Sequence, residues 1–156
     1  GGIAKGTVVR EVDALGGIAT PMNMGDIYSA LQTGVIDGAE NNIPSWYTWK
    51  HYEVAKYFLQ DGHARLPEVL MISKKCWDTL TEDQKVALRE AAEEAKDFQI
   101  KAWNKAEADQ LAAVKKTGAV VNAANIADFQ AVCAPIYNDP KYADLKVWVT
   151  KIRAVK

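Results

Sequence analysis

"TPMNMGDIYSALQTGVIDGAENN", Thr20 to Asn42, decides how the chain is read. Its lead-in, "IATPMNM", is a short apolar run with β-branched members and one proline. That combination predicts a short strand at a sheet edge, where a missing N–H is tolerated. Gly25 and Asp26 open "IYSALQT", where Ile27, Ala30 and Leu31 share one helical face and Gly34 stands just past the end. "GVIDGAE" then predicts a buried strand of about four or five residues. Strand, helix and strand in so short a stretch indicate an α/β fold, with Glu40 and Asn41 presented at the second strand's end.

Outward from this stretch the pattern stays mixed. "TVVREVDAL", from Thr7, spaces Val8, Val9, Val12 and Leu15 as a helix does, and Gly16-Gly17 stops it. "IPSWYTWKHYEVAKYF" predicts a helix starting near Pro44 and breaking around Glu53 to Lys56. "KYFLQDGHA" and "PEVLMISK" are extended segments. Their continuous apolar runs, Tyr57-Phe58-Leu59 and Val69 to Ile72, suit strands buried on both faces. The clearest element runs from Thr81 to Gly118. Thr81 and Gln84 form a capping box, Glu82 and Asp83 sit at the positive end, and Lys115 and Lys116 at the negative end. Leu88, Ala91, Ala95, Phe98 and Ala102 make an apolar stripe along it. At about 1.5 Å per residue such a helix is roughly 50 Å long, enough to link two lobes or pack on another chain. "AVVN" predicts a short strand; "ADFQAVCAPIYN" and "YADLKVWVTKIRAV" are closing helices around the turn "NDPK".

Composition excludes several function classes. There are 19 basic and 20 acidic residues in 156, which gives no electrostatic reason to expect nucleic acid. No run of apolar residues is long enough to span a membrane. Cys76 and Cys133 are read as two buried thiols, with a single bridge in an oxidising compartment as the alternative. No nucleophile elbow, phosphate loop, dinucleotide fingerprint or metal-ligand spacing occurs, so nothing supports an enzyme, a metal or a cofactor. His51 lies in an aromatic helix and reads as packing or surface. His63, after Asp61-Gly62 at a strand end, stands where α/β folds place ligands. Trp46, Tyr47 and Trp49 cannot share one helical face, so at least one ring is exposed or lines a cleft.

"TPMNMGDIYSALQTGVIDGAENN", continued by "KHYEVAKYFLQDGH" and "PEVLMISKKCWDTLTEDQKVALREAAEEA", resembles the extracytoplasmic solute receptors of tripartite ATP-independent periplasmic (TRAP) transporters, of the C4-dicarboxylate-binding type. The resemblance covers nearly the whole chain. It implies an α/β, periplasmic binding protein-like (type II-like) fold, of which this chain is the C-terminal lobe with a long lobe-spanning helix. It implies capture of a small organic acid in the periplasm and delivery to a permease of two membrane subunits, with no catalysis by the receptor.

Residue by residue, the resemblance implies that Asn41 hydrogen-bonds the ligand and that Met24 packs against it at a position often aromatic. Glu40 matches a position that helps hold a cation in one subgroup, but Asn41 stands where that subgroup has tryptophan, so no metal is expected. His63 matches a position in a water-linked network near the cleft, and Trp46 is a looser ligand candidate. The family's arginine, which pairs with the ligand carboxylate, falls around or just before Gly1, and Arg10 does not match it. Residues 1–65 are expected to form the core of the C-terminal lobe. Residues 66–100 are expected to pack with an N-terminal lobe, and 101–156 to return to the first. A chain cut this way should bind ligand poorly and self-associate through its uncovered apolar strand. The rival readings are an enzyme or sensor on the same fold, and a helical assembly module without ligand.

Overall fold

The computed structural model describes residues 6–155. Helix α1 (Thr7–Ala14) and helix α2 (Met24–Gln32) come first. α2 ends as its sequence requires. Gly34 takes φ +72°, its N–H reaches the carbonyl of Leu31, and the Val35 N–H reaches that of Ala30 at 2.9 Å. The same closure explains a difference from the sequence expectation. Gly34 to Glu40 is not a buried strand: it is irregular, and Val35 is 72% exposed. The N–H groups of Val35 and Ile36 both turn back to Ala30, so α2 takes up donors that a neighbouring strand would otherwise receive. Ile18 to Asn23 is likewise irregular rather than an edge strand.

Helix α3 (Ile43–Thr48) begins at Asn42, whose side chain accepts from the Ser45 N–H, with Pro44 in the first turn. A 3₁₀ turn (His51–Glu53) follows through Lys50, which adopts φ +56°. Strand β1 (Tyr57–Gln60) then pairs in parallel with β2 (Val120–Ala123), Tyr57 opposite Val120 and Gln60 opposite Ala123. This two-stranded sheet is the only one among the described residues.

Between the strands lie an extended segment, the short helix α4 (Lys74–Trp77) and α5 (Glu82–Lys116). Both bonds of the capping box at Thr81 and Gln84 are present. Thr81→Ala is expected to cost about 1 kcal/mol of local helix stability. Hydrogen exchange at Glu82 to Gln84 would read this as faster exchange confined to the first turn. Helix α6 (Ile126–Cys133), 3₁₀ turns at Ala134–Asn138 and Pro140–Leu145, and α7 (Lys146–Arg153) close the chain. Arg10 of α1 forms an ion pair with Asp139 and lies over the Tyr142 ring, tying the two ends together.

The core sits where α3 meets the last turns of α5. Trp46, Val114 and Ala119 are buried there, with Tyr52, Phe58 and Val121 packed around them. The Trp46 ring stands 4.7 Å from Phe58, centroid to centroid, and its indole N–H donates to the Ala55 carbonyl. Away from this point little is covered. Tyr57, Leu59 and the run Val69 to Ile72 are exposed, not buried on both faces, because the sheet has one neighbour per strand and residues 68–72 pair with nothing among the described residues. The stripe of α5 is exposed as well, and Phe98 is 74% open. Cys76 is exposed and Cys133 half-buried, both as free thiols, so the expectation of two buried thiols fails at Cys76. The accessible surface is 12011 Å². A compact domain of this mass, 17.2 kDa, exposes only about 7,800 Å².

Candidate functional site

Met24 and Asn41 come together across the α2 turn. The Asn41 amide nitrogen lies 3.5 Å from the Met24 sulfur, and the Asn41 side-chain oxygen accepts from the Asn42 N–H at 2.9 Å. That second bond fixes the amide plane, so its NH₂ is held facing the Met24 thioether, a weak acceptor that a ligand oxygen could replace. Glu40 meets the segment after β1: its Oε2 is 3.3 Å from His63 Nε2. On the other side of the ring, His63 Nδ1 is 2.8 Å from Asp61 Oδ1. Gly62 permits this approach by taking φ +61°, a conformation that costs a glycine little.

An imidazole held between two carboxylates stays charged. The His63 pKa is pushed up to about 9, first by the hydrogen bond to Glu40 and then by Asp61, against the opposing cost of burial. Both ring N–H groups therefore donate at neutral pH, one to each carboxylate. Glu11 of α1 approaches the same group. Its Oε2 is buried without a partner, and burial raises its pKa, with Glu40 and Asp61 adding to the rise and His63 opposing it. Three segments thus converge on one cation: α1 through Glu11, the loop after α2 through Glu40, and the end of β1 through Asp61.

The loop from Asp37 to Asn41 separates two hollows. One, of about 430 Å³, is lined by Asn41, Trp46, His51 and Phe58; the other, of about 580 Å³, by Val8, Val12, Thr20, Ile27 and Glu40. Asn41 faces the first hollow and Glu40 the second, so the two neighbouring candidates serve different sides of the loop. Trp46 does not join the Glu40–His63 group. It is 4% exposed, a core ring that also lines the first hollow, while Tyr47 and Trp49 are the open rings of the aromatic run. His51 is buried beside it, with Nε2 unpartnered; burial lowers its pKa, so it is neutral at pH 7.

Two members of the group escaped the sequence reading. Asp61 was visible only as part of the turn before His63, and Glu11 only as a polar flank to the Val8–Val12 stripe. The position expected for the family's arginine lies outside the described residues. Among the described residues, no set of three His, Cys, Asp or Glu side chains is placed to hold a metal ion.

Residues 4–143 match the family model of DctP, bacterial extracellular solute-binding protein family 7. The chain belongs to that family. A solute-binding protein of Chromohalobacter salexigens is 40% identical over 93% of this chain. A TRAP periplasmic solute-binding protein from Chromohalobacter salexigens, solved with bound D-glucuronate, superimposes with a TM-score of 0.91 at 38% identity over 96% of the chain. One from Roseobacter denitrificans, with bound β-D-glucuronate, gives 0.89 at 39% identity over 96%. The family 7 chain described here spans about half of these relatives: 44% of the first and 51% of each structure. The family assignment carries the type II-like periplasmic binding-protein fold with it. The relatives are solute receptors rather than enzymes, and no helix among the described residues is long and apolar enough to cross a membrane.

Proposed function

We propose that this chain supplies one lobe of a TRAP solute receptor and that the receptor captures a hexuronate, a sugar acid of the glucuronate type, in the periplasm for delivery to its permease. The supporting observation is that the Met24–Asn41 pair and the Glu40–His63–Asp61 group lie in a backbone closely similar to two receptors solved with glucuronate. Asn41 offers an amide to the ligand, and the Met24 thioether supplies an adaptable apolar wall. Glu40 and Asp61 would repel a carboxylate, so the acid group of the ligand is read by the opposite lobe and this lobe reads the rest of the molecule. In this reading residues 1–65 and 101–156 build the lobe. Residues 66–100, the exposed segment and most of the projecting part of α5, reach towards the second lobe.

A thermal-shift series on the two-lobed receptor tests this. D-glucuronate or D-galacturonate should raise Tm, and by more than succinate, 2-oxo acids or sialic acid do. Binding at 100 times Kd contributes about 2.7 kcal/mol, several degrees for a domain of ordinary size. No stabilisation by any acid sinks the transport reading; stabilisation by a different acid sinks the hexuronate. The 156-residue chain alone should show little shift, since it offers one wall of the site.

A further inference from the structure

The group around His63 carries one more acid than the ring can satisfy. The imidazolium has two N–H groups, and Asp61 and Glu40 take one each. Glu11 is a third carboxyl against the same cation, and no ring N–H remains for it. Its Oε2 is covered by this chain's own atoms and meets no hydrogen-bond donor among the described residues. A second lobe does not supply one, because an atom already buried is out of its reach. The other groups near α1 do not compensate either. Arg10, the neighbouring cation, is turned to Asp139 and the Tyr142 ring. Asp13 is exposed and accepts from the Ala19 N–H. From α6, which packs on α1, Cys133 lies within the field of Glu11 and is a neutral thiol at pH 7, its pKa pushed up by burial.

A buried carboxylate without a donor, beside two ionised carboxylates, is costly. The neutral acid avoids that cost. The Glu11 pKa is accordingly raised, first by burial, with His63 opposing and Glu40 and Asp61 adding to the rise. With Glu11 neutral the four groups, two carboxylates and one imidazolium being charged, sum to −1; with Glu11 ionised they sum to −2. Glu40 stands next to Asn41, and the loop they share lines both hollows, so the added charge lies beside the solute site. A bound acid and an ionised Glu11 repel one another.

We propose that Glu11 couples capture of an anionic solute to uptake of a proton: a bound acid favours the neutral Glu11, and the neutral Glu11 favours a bound acid. The two effects are equal in size by linkage. The proton comes from solvent onto a Glu11 side-chain oxygen, and no bond to the solute forms or breaks. The inference rests on the reading of this chain as one lobe of a receptor for an acid, though not on which acid. Its sign is fixed: affinity falls as pH rises through the titration of Glu11. A charge acts over about 10 Å at physiological ionic strength. At that range it changes an anion's affinity by roughly threefold to tenfold.

Titration calorimetry of D-glucuronate into the two-lobed receptor tests this between about pH 5 and pH 8, where His63 stays charged. Kd should rise by roughly threefold to tenfold across that range. Runs in buffers of different ionisation enthalpy should show net proton uptake on binding. Glu11→Gln, the same shape without the titration, should give a flat Kd and an enthalpy independent of buffer. Asp13→Asn, at an exposed position on the same helix, should keep the parent's slope. A slope that persists in Glu11→Gln overturns the proposal and moves the proton elsewhere, His51 being the ring that titrates at the low end of this range. So does proton release on binding, or a parent Kd that ignores pH. Failure of D-glucuronate to bind sinks the hexuronate reading alone, because the charge at Glu11 is also read without ligand. In the NMR titration of the His63 ring, Glu11→Gln should move the midpoint down from about 9, since an anion beside the imidazolium is gone. An unmoved midpoint overturns the proposal whichever solute binds.

Discussion

Trp46→Ala is expected to remove most of the stability of the folded chain. The core of the described residues is small: Ala30, Ile43, Trp46, Val114 and Ala119 are its buried apolar members, and Trp46 is by far the largest. Its ring contacts Phe58 and Tyr52 and its N–H satisfies the Ala55 carbonyl, so truncation removes packing and leaves an unpaired acceptor together. Losses of about 3–5 kcal/mol are typical for a buried tryptophan. A domain's whole stability is about 5–15 kcal/mol, and a chain with this much exposed surface belongs at the lower end. Urea unfolding followed by far-ultraviolet circular dichroism is the appropriate measurement, since the substitution removes a fluorophore. Trp46→Phe should keep part of the packing and lose less. A Trp46→Ala midpoint equal to that of the parent chain would show that the α3–α5 contact does not hold the body together.

The second large effect is a dependence on pH in an unusual direction. His63 has a folded-state pKa of about 9, whereas a free histidine titrates near about 6.5. The folded state therefore holds this proton more tightly than the unfolded chain does. Its contribution is present in full below about pH 6.5 and is lost as pH rises towards 9. The shift alone corresponds to about 3 kcal/mol. Because the ring is 24% exposed and Glu40 48% exposed, solvent reduces this to on the order of 2 kcal/mol. Urea midpoints should fall between pH 6.5 and 9 and then level off, and His63→Gln should flatten that part of the curve. An imidazole titration by NMR with a midpoint near 6.5 would contradict the arrangement of Asp61, His63 and Glu40.

What the sequence disclosed tracks how local each cause is. The capping box, the two glycine closures after α1 and α2, and the length of α5 depend on residues a few positions apart, and all were legible. Strands depend on a neighbour. "AVVN" and "KYFLQ" found one in each other, whereas the equally β-prone "GVID" did not, because the carbonyl of Ala30 took its amides first. In the candidate site, Asn41 and Met24 lie close together, as do Glu40 and His63, although the pairs are separated by 17 and 23 positions. The family resemblance pointed to all four, and the strand-end reading had already singled out His63. Trp46 shows the limit of pattern reading. Three rings in "WYTW" required one to differ from the others, but the spacing did not say that the first would be the buried one.

The parallel pairing of β1 with β2 has a consequence for time. Tyr57 and Val120 are 63 positions apart, and the whole of α5 lies between them. Closing so long a loop costs roughly 4 kcal/mol of chain entropy, recovered only when the pairing forms. Helix growth along α5 takes about a microsecond or less. Closing the loop that brings the Val114 turn to α3, and β2 to the edge of β1, is therefore expected to be slower than helix growth. During that wait α5 is already a finished rod, so a nascent chain presents a completed helix well before it has a sheet.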